Sequence, residues 1–215
     1  MPALPAGGIL APLSAETASL MPVWNPPHHW FSPAQHWRLR APAATASWLL
    51  ETGSLTTRLI GIAQGDFRVR VLAQYWGRPA PEEVRRLGLH PGRYALIREV
   101  ELLGRGEPWV RARSVLPVGS LTGAGRRLRR LGNRSLGHLL FRDPTLRRGP
   151  IEITRLQQPE GPVFARRSHL VYHGQPLLVA ECFLPALLAE PPSMETAPQP
   201  QRAKTARGST SPEQA

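Results

Sequence analysis

A single carboxylate, Glu181, stands in an otherwise apolar run, Pro176-Leu177-Leu178-Val179-Ala180-Glu181-Cys182-Phe183-Leu184. Strand alternation puts Leu177, Val179, Glu181 and Phe183 on one face, and Leu178, Ala180, Cys182 and Leu184 on the other. A strand apolar on both faces is buried, so an ionised Glu181 there needs a cation or a ligand to address it. A second charge sits in the same kind of setting. In Arg93-Tyr94-Ala95-Leu96-Ile97-Arg98-Glu99-Val100-Glu101-Leu102, Arg98 shares a face with Tyr94, Leu96, Val100 and Leu102. On the following strand Arg113 shares a face with Trp109, Arg111 and Val115. Arg98 and Arg113 are about equally far from the intervening turn, so the expectation is that they approach across the ladder. Arginine keeps its charge when desolvated, and its planar fork matches a carboxylate. Two core-facing arginines and one glutamate describe a pocket for a small anion with two carboxylates; the alternative is an internal Arg98–Glu181 ion pair with no ligand.

Other reactive residue types carry less. Cys182 is the only cysteine, which excludes an intramolecular disulfide or thiolate metal cluster, and its setting is that of a small core residue. His28, His29 and His36 have no accompanying carboxylate or cysteine and read as loop histidines, so no metal site is expected. The run Arg126-Arg127-Leu128-Arg129-Arg130-Leu131-Gly132-Asn133-Arg134-Ser135-Leu136-Gly137 has the outline of a helix-turn-helix. Its second half, with Leu136, Leu139, Leu140 and Phe141, is too apolar to read base edges. A solvated arginine face over a leucine face, serving as a lid, is the preferred reading.

The elements that must position these residues follow from periodicity. Residues 42–51 form a short helix, and a second begins after Ser54 as N-cap. Residues 66–76 alternate as a half-exposed strand, with Phe67, Val69, Val71, Ala73 and Tyr75 on one face and Arg68, Arg70, Leu72 and Gln74 on the other. A helical turn crosses residues 82–86. Residues 93–103 and 108–118 form a hairpin, residues 119–141 take helical spacing, 151–156 is a strand, and 168–172 pairs with 177–184 in a last hairpin. The fold class expected is α+β, a mainly antiparallel sheet with a helical flap pair inserted between strands and an enclosed ligand pocket. Residues 1–40 read as an irregular Pro- and Trp-rich extension, 41–187 as the domain, and 188–215 as a disordered tail.

The net charge of +12 raises nucleic acid as a partner. Lys204, however, is the only lysine among 27 basic residues. So arginine-heavy a composition, beside abundant Ala, Pro and Gly, is that of a GC-rich coding sequence, and no nucleic-acid partner is expected. With 41% hydrophobic residues the chain can build a core. No apolar run approaches a bilayer span and no signal peptide is evident, so a cytoplasmic protein without membrane insertion is the expectation.

The same residues carry a family resemblance. Gly106-Glu107-Pro108-Trp109, Arg113-Ser114-Val115-Leu116-Pro117-Val118, Leu131 to Gly137, Ile151-Glu152-Ile153, Arg166-Arg167-Ser168 and Gly174 to Pro185 occur in the order and spacing of chorismate pyruvate-lyase. The chain resembles that family over residues 42–185. The resemblance implies a cofactor-free lyase eliminating pyruvate from chorismate to give 4-hydroxybenzoate, in ubiquinone biosynthesis, with product inhibition. It places the substrate-contacting arginine at Arg98, the pocket carboxylate at Glu181, a flap leucine at Leu136 and a second arginine at Arg113. Leu55 falls where the family is associated with methionine. In this reading Arg98 and Glu181 are catalytic, Leu55, Arg113 and Leu136 complete substrate binding, and the protein acts as a monomer. Glu181 holds the ring hydroxyl and either relays a proton or leaves it to pass within the substrate. The competing class is a non-catalytic aromatic-acid sensor, since effector domains of some bacterial regulators resemble this lyase fold; residues 1–40 lack the periodicity of the DNA-binding domain such a protein needs.

Overall fold

The computed structural model describes residues 29–158 and 161–190; Trp24, His28 and most of the expected tail lie outside them. Six strands form one antiparallel sheet, β1 (Phe67–Gly77), β2 (Ala95–Gly104), β3 (Glu107–Pro117), β4 (Arg147–Gln158), β5 (Gly161–Tyr172) and β6 (Gln175–Phe183), in the order β1-β2-β3-β6-β5-β4. Helices α1 (Ala43–Leu49) and α2 (Leu55–Ala63) precede the sheet and α3 (Pro81–Leu87) joins β1 to β2. The insertion between β3 and β4 holds 3-10 segments Val118–Leu121 and Gly123–Arg130 and the short helix α4 (Leu136–Leu140). A last turn of helix, α5 (Pro185–Leu188), follows β6. The α+β antiparallel architecture with a helical insertion is as expected.

Local chemistry explains the ends. Ser54 Oγ accepts from the Thr57 amide and Ser135 Oγ from the His138 amide, capping α2 and α4. Gly132, at φ +54°, turns the chain between the two halves of the insertion. The first half is 3-10 rather than α, yet buries the expected leucines Leu128 and Leu131, with Leu121 beside them.

The sheet has two unlike faces. On the inner face one core gathers Trp48, Leu49, Leu55, Leu59, Val100, Val110, Ile153 and Phe183 under α1 and α2, and a second gathers Leu96, Leu116, Leu128, Leu136, Leu140, Leu170 and Leu177 under the insertion. The site lies between them. The outer face carries paired charge. Glu101, fully buried, takes Arg70 and Arg111; Arg113 takes Glu83 and Glu99; Arg167 takes Glu82 and Glu152, and Glu152 also takes Arg86. Burial of these charges is tolerable because each has its counter-ion. Trp30 packs with Arg167 at 4.3 Å from its ring and Phe31 bridges to Ile153, so this part of the N-terminal region docks on the sheet, while Trp37 is exposed.

Of three register shifts in the sheet among the described residues, two on the β1–β2–β3 side change which residues share a face there. The register shifts between Val71 and Ala73 on β1, which moves Gln74 to the inner face opposite Arg98 and sends Ala73 and Tyr75 outward. A second shift, at Leu102/Leu103, leaves Trp109 unpaired in the β2–β3 ladder. Its ring packs over Gly104, where a Cβ would come within 2.1 Å of it.

Candidate active site

The inner face brings Arg98 of β2, Ser114 of β3, Val179 and Glu181 of β6, Ser168 of β5 and Arg148 of β4 around one enclosed cavity. Its roof is Leu136, Gly137, Leu140 and Phe141 from the insertion, with Thr56 from α2. The cavity measures about 40 Å³, room for about three waters at ~10–15 Å³ each, so an aromatic acid enters only as the roof yields.

Arg98 is 2% exposed. It donates through Nη1 to Gln74 Oε1 at 3.0 Å and through Nη2 to the carbonyls of Gly132 and Arg134 at 2.7 and 3.3 Å. Strand, neighbouring strand and flap therefore meet on one guanidinium. Burial holds its pKa below the usual arginine value, though not far enough to cost arginine its charge near neutrality.

Glu181 does not pair with Arg98. Its partner is Arg166, directly opposite on β5, whose Nε donates to Glu181 Oε2 at 2.6 Å. Arg166 is 1% exposed and also donates to the carbonyls of Trp48 and Glu51, tying the end of α1 to the sheet. Arg148 donates to Ser168 Oγ and to the carbonyls of Thr52 and Gly53. Desolvation and then repulsion by Arg166 hold its pKa below the usual value, against the attraction of Glu181 and Glu51. Among the described residues neither Arg98 nor Arg148 makes an ion pair. With Glu181 already paired to Arg166, the cavity presents two cations that have no direct ion-pair partner of their own, the electrostatics of an anion site.

Of the residues expected at the site, Arg98, Glu181 and Leu136 line the cavity. Arg113 does not: Glu99, not Arg98, is its cross-strand neighbour, and Arg98 faces Ser114. Arg113 points to the outer face, where burial lowers its pKa but the hydrogen bonds it donates to Glu83, with the attraction of that carboxylate, prevail and raise it. Leu55 is buried in the first core, and its neighbour Thr56 is the residue that reaches the cavity. Arg148 and Arg166 were not anticipated. The signal for Arg166 was present: a two-residue turn at His173-Gly174 pairs Tyr172 with Gln175 and, counting back, Arg166 with Glu181.

Thr56 Oγ1 meets Ser135 Oγ at 2.7 Å, fastening the roof to α2, and Gly137 lies so close that a Cβ there would come within 2.9 Å of Thr56 Oγ1. On the other side Cys182 is buried and its thiol is pushed up to about 12 by desolvation, against the pull of Arg111, which leaves it a core residue rather than a nucleophile. Among the described residues no helix is long and apolar enough to cross a membrane.

The sequence profile of the family described as "Chorismate lyase" matches residues 28–190. The chain is 47% identical over 159 residues to a protein of Methylococcus capsulatus named "Probable chorismate pyruvate-lyase", covering 68% of this chain and 98% of that one. It is 45% identical over 147 residues to a protein of the same name from Marinobacter nauticus, covering 67% and 78%. Among solved structures, the effector domain of PhnF from Mycobacterium smegmatis superposes with a TM-score of 0.50 at 16% identity, covering 64% of this chain and 91% of that one; this shows a shared fold.

Proposed function

The chain belongs to the chorismate lyase family, and on that premise we propose that it converts chorismate to 4-hydroxybenzoate and pyruvate, supplying the aromatic ring for ubiquinone. The observation that carries this reading is the pair Arg98 and Arg148, without carboxylate partners, facing Glu181 across one enclosed cavity. Chorismate has a ring carboxylate, an enolpyruvyl carboxylate and a ring hydroxyl. Two guanidinium cations, each with a hydrogen left to give, and one hydrogen-bond acceptor complement those three groups. Arg148 takes the anchoring role that the sequence reading gave to Arg113.

In the reaction the ether C–O bond to the ring breaks, its electron pair leaving with the enolpyruvyl oxygen. The neighbouring ring carbon, which bears the hydroxyl, loses its hydrogen as a proton, and the ring aromatises. The departing fragment gains one proton on its methylene to become pyruvate. Atoms and charge balance without an electron acceptor. The chain's part is to hold the ether in the conformation that eliminates and to stabilise negative charge on the leaving oxygen with a fixed guanidinium in a water-poor site. Glu181, held in place by Arg166, accepts the hydrogen bond of the ring hydroxyl.

Product leaves only when the Thr56–Ser135 bond and the Arg98 bonds to the Gly132 and Arg134 carbonyls are broken. Slow release and inhibition by 4-hydroxybenzoate follow. The deciding experiment is incubation of the purified chain with chorismate, measuring pyruvate and 4-hydroxybenzoate. The expected result is equal amounts of both, and near-complete loss in Arg98→Ala with unchanged circular dichroism. Absence of either product from the wild type, or turnover in Arg98→Ala close to wild type, refutes the reading. Glu181→Gln then separates the two proton routes. Relay through the carboxylate predicts a fall of about 10²–10⁴-fold in kcat; transfer within the substrate predicts a change mainly in KM.

A further inference from the structure

The flap has an outward side that the lyase reading leaves unused. Arg126, Arg127, Arg129 and Arg130 are exposed around buried Leu128, and with Gln74, Trp76 and Leu96 they line a cleft of about 600 Å³. Arg127 shares Asp143. Among the described residues no carboxylate pairs with Arg126, Arg129 or Arg130. The sheet's outer face behaves oppositely: Arg70, Arg86, Arg113 and Arg167 each meet a carboxylate. The outer-face arginines carry their counter-charge; Arg126, Arg129 and Arg130 at the cleft do not. Trp76, 47% exposed, supplies an aromatic wall on the sheet side.

We propose that this cleft binds a phosphate-bearing anion with a planar ring, of the nucleoside polyphosphate class, and that occupancy holds the flap down. Several guanidinium forks on one short segment suit a chain of phosphates better than one carboxylate. The ring stacks on Trp76. A concave cleft of this size fits a small ligand. The two walls belong to different bodies: Trp76 and Gln74 to the sheet, the arginines to the flap. Gln74 joins them to the site, since its Nε2 donates to the Arg129 carbonyl at 3.2 Å while its Oε1 accepts from Arg98. A ligand bridging the walls must leave before the flap lifts. Its effect on turnover rests on the lyase reading; its binding and its effect on flap opening do not.

The test titrates ATP, pyrophosphate and inorganic phosphate into the full chain by calorimetry, at constant ionic strength. Expected affinity rises from phosphate to pyrophosphate to ATP. Trp76→Ala weakens ATP but not pyrophosphate, and Arg126→Ala with Arg130→Ala weakens both by about tenfold or more. No binding of ATP, or ATP binding unchanged in the double variant, overturns the site. Tighter binding of a single-stranded RNA oligonucleotide than of ATP, lost in the same variant, overturns the ligand class. Hydrogen exchange of residues 118–141 reads the clamp whether or not chorismate is a substrate: ATP slows it in wild type and not in the double variant, and unchanged exchange on ATP binding overturns the clamp. With chorismate, ATP lowers kcat in wild type, while the double variant keeps its kcat with or without ATP.

Discussion

Replacing Arg166 by methionine tests the idea that Glu181 is held by a buried partner rather than by substrate. The side chain is 1% exposed and makes three bonds, to Glu181 Oε2 at 2.6 Å and to the carbonyls of Trp48 and Glu51 at 3.0 and 2.6 Å. Methionine fills similar space but donates nothing, so a largely buried carboxylate and two carbonyls lose their partner together. Breaking a buried pair from one side costs about 3–5 kcal/mol, a large part of the roughly 5–15 kcal/mol that holds a domain. For a chain of this size that lowers Tm by roughly 6–20 °C. Denaturant and thermal unfolding of wild type, Arg166→Met, Glu181→Gln and the double variant complete a cycle. The double variant, having no orphaned charge, should recover about 1.5–3 kcal/mol relative to Arg166→Met. A loss below about 1 kcal/mol in Arg166→Met, as for an exposed pair, would refute the reasoning. Turnover of chorismate should fall in the single variant beyond what its unfolded fraction explains.

Three further outcomes are expected. Arg113→Met should keep chorismate turnover within a few-fold of wild type while losing about 3–5 kcal/mol of stability, because it orphans buried Glu83; a large rise in KM would return Arg113 to the site. Cys182, its thiol pushed up to about 12, should resist a thiol reagent at pH 8 in the folded protein and react on unfolding; prompt labelling of folded protein contradicts this. Acid stability should follow the outer face. Burial raises the pKa values of Glu101 and Glu152, but hydrogen bonds from Arg111 and Arg70, and from Arg167 and Arg86, outweigh it and hold both below the usual value. A depressed folded pKa contributes stability above the unfolded value, 4.5, that is lost as pH falls through the folded one. Unfolding free energy should therefore decline below pH 4.5, and Glu101→Gln, already weaker at neutral pH, should decline less steeply.

How much of this could be read from the residues depended on where alternation stayed regular. The hairpins and the cap at Ser54 were legible because turns and capping are local chemistry. Arg98, Leu136 and Glu181 converge as their apolar neighbours implied. Alternation failed at the bulges. One extra residue near Leu72 reverses parity, and only then does Gln74 stand beside Arg98. The bulge at Trp109 makes that residue a guide to the wrong face for Arg113. Arg148 was hidden differently: a register shift between Arg148 and Ile151 extends β4 across Gly149-Pro150, where the sequence looks like a loop. The outer-face ion pairs escaped because pairing between distant strands is a property of sheet order.

Arg98 also sets a limit on how this protein can change. A guanidinium has five hydrogens to give. Gln74 and the Gly132 and Arg134 carbonyls occupy Nη1 once and Nη2 twice, which leaves Nε–H and one Nη1–H, two donors that do not lie side by side, for single bonds to an incoming ligand. Grip on the ligand and the latch of the door are thus one residue, and a substitution that loosens either loosens both. Gln74, which also holds the Arg129 carbonyl, is bonded to Arg98 as well, so faster product escape must come from Thr56 against Ser135, where the lid can be weakened without touching the hand that holds the substrate.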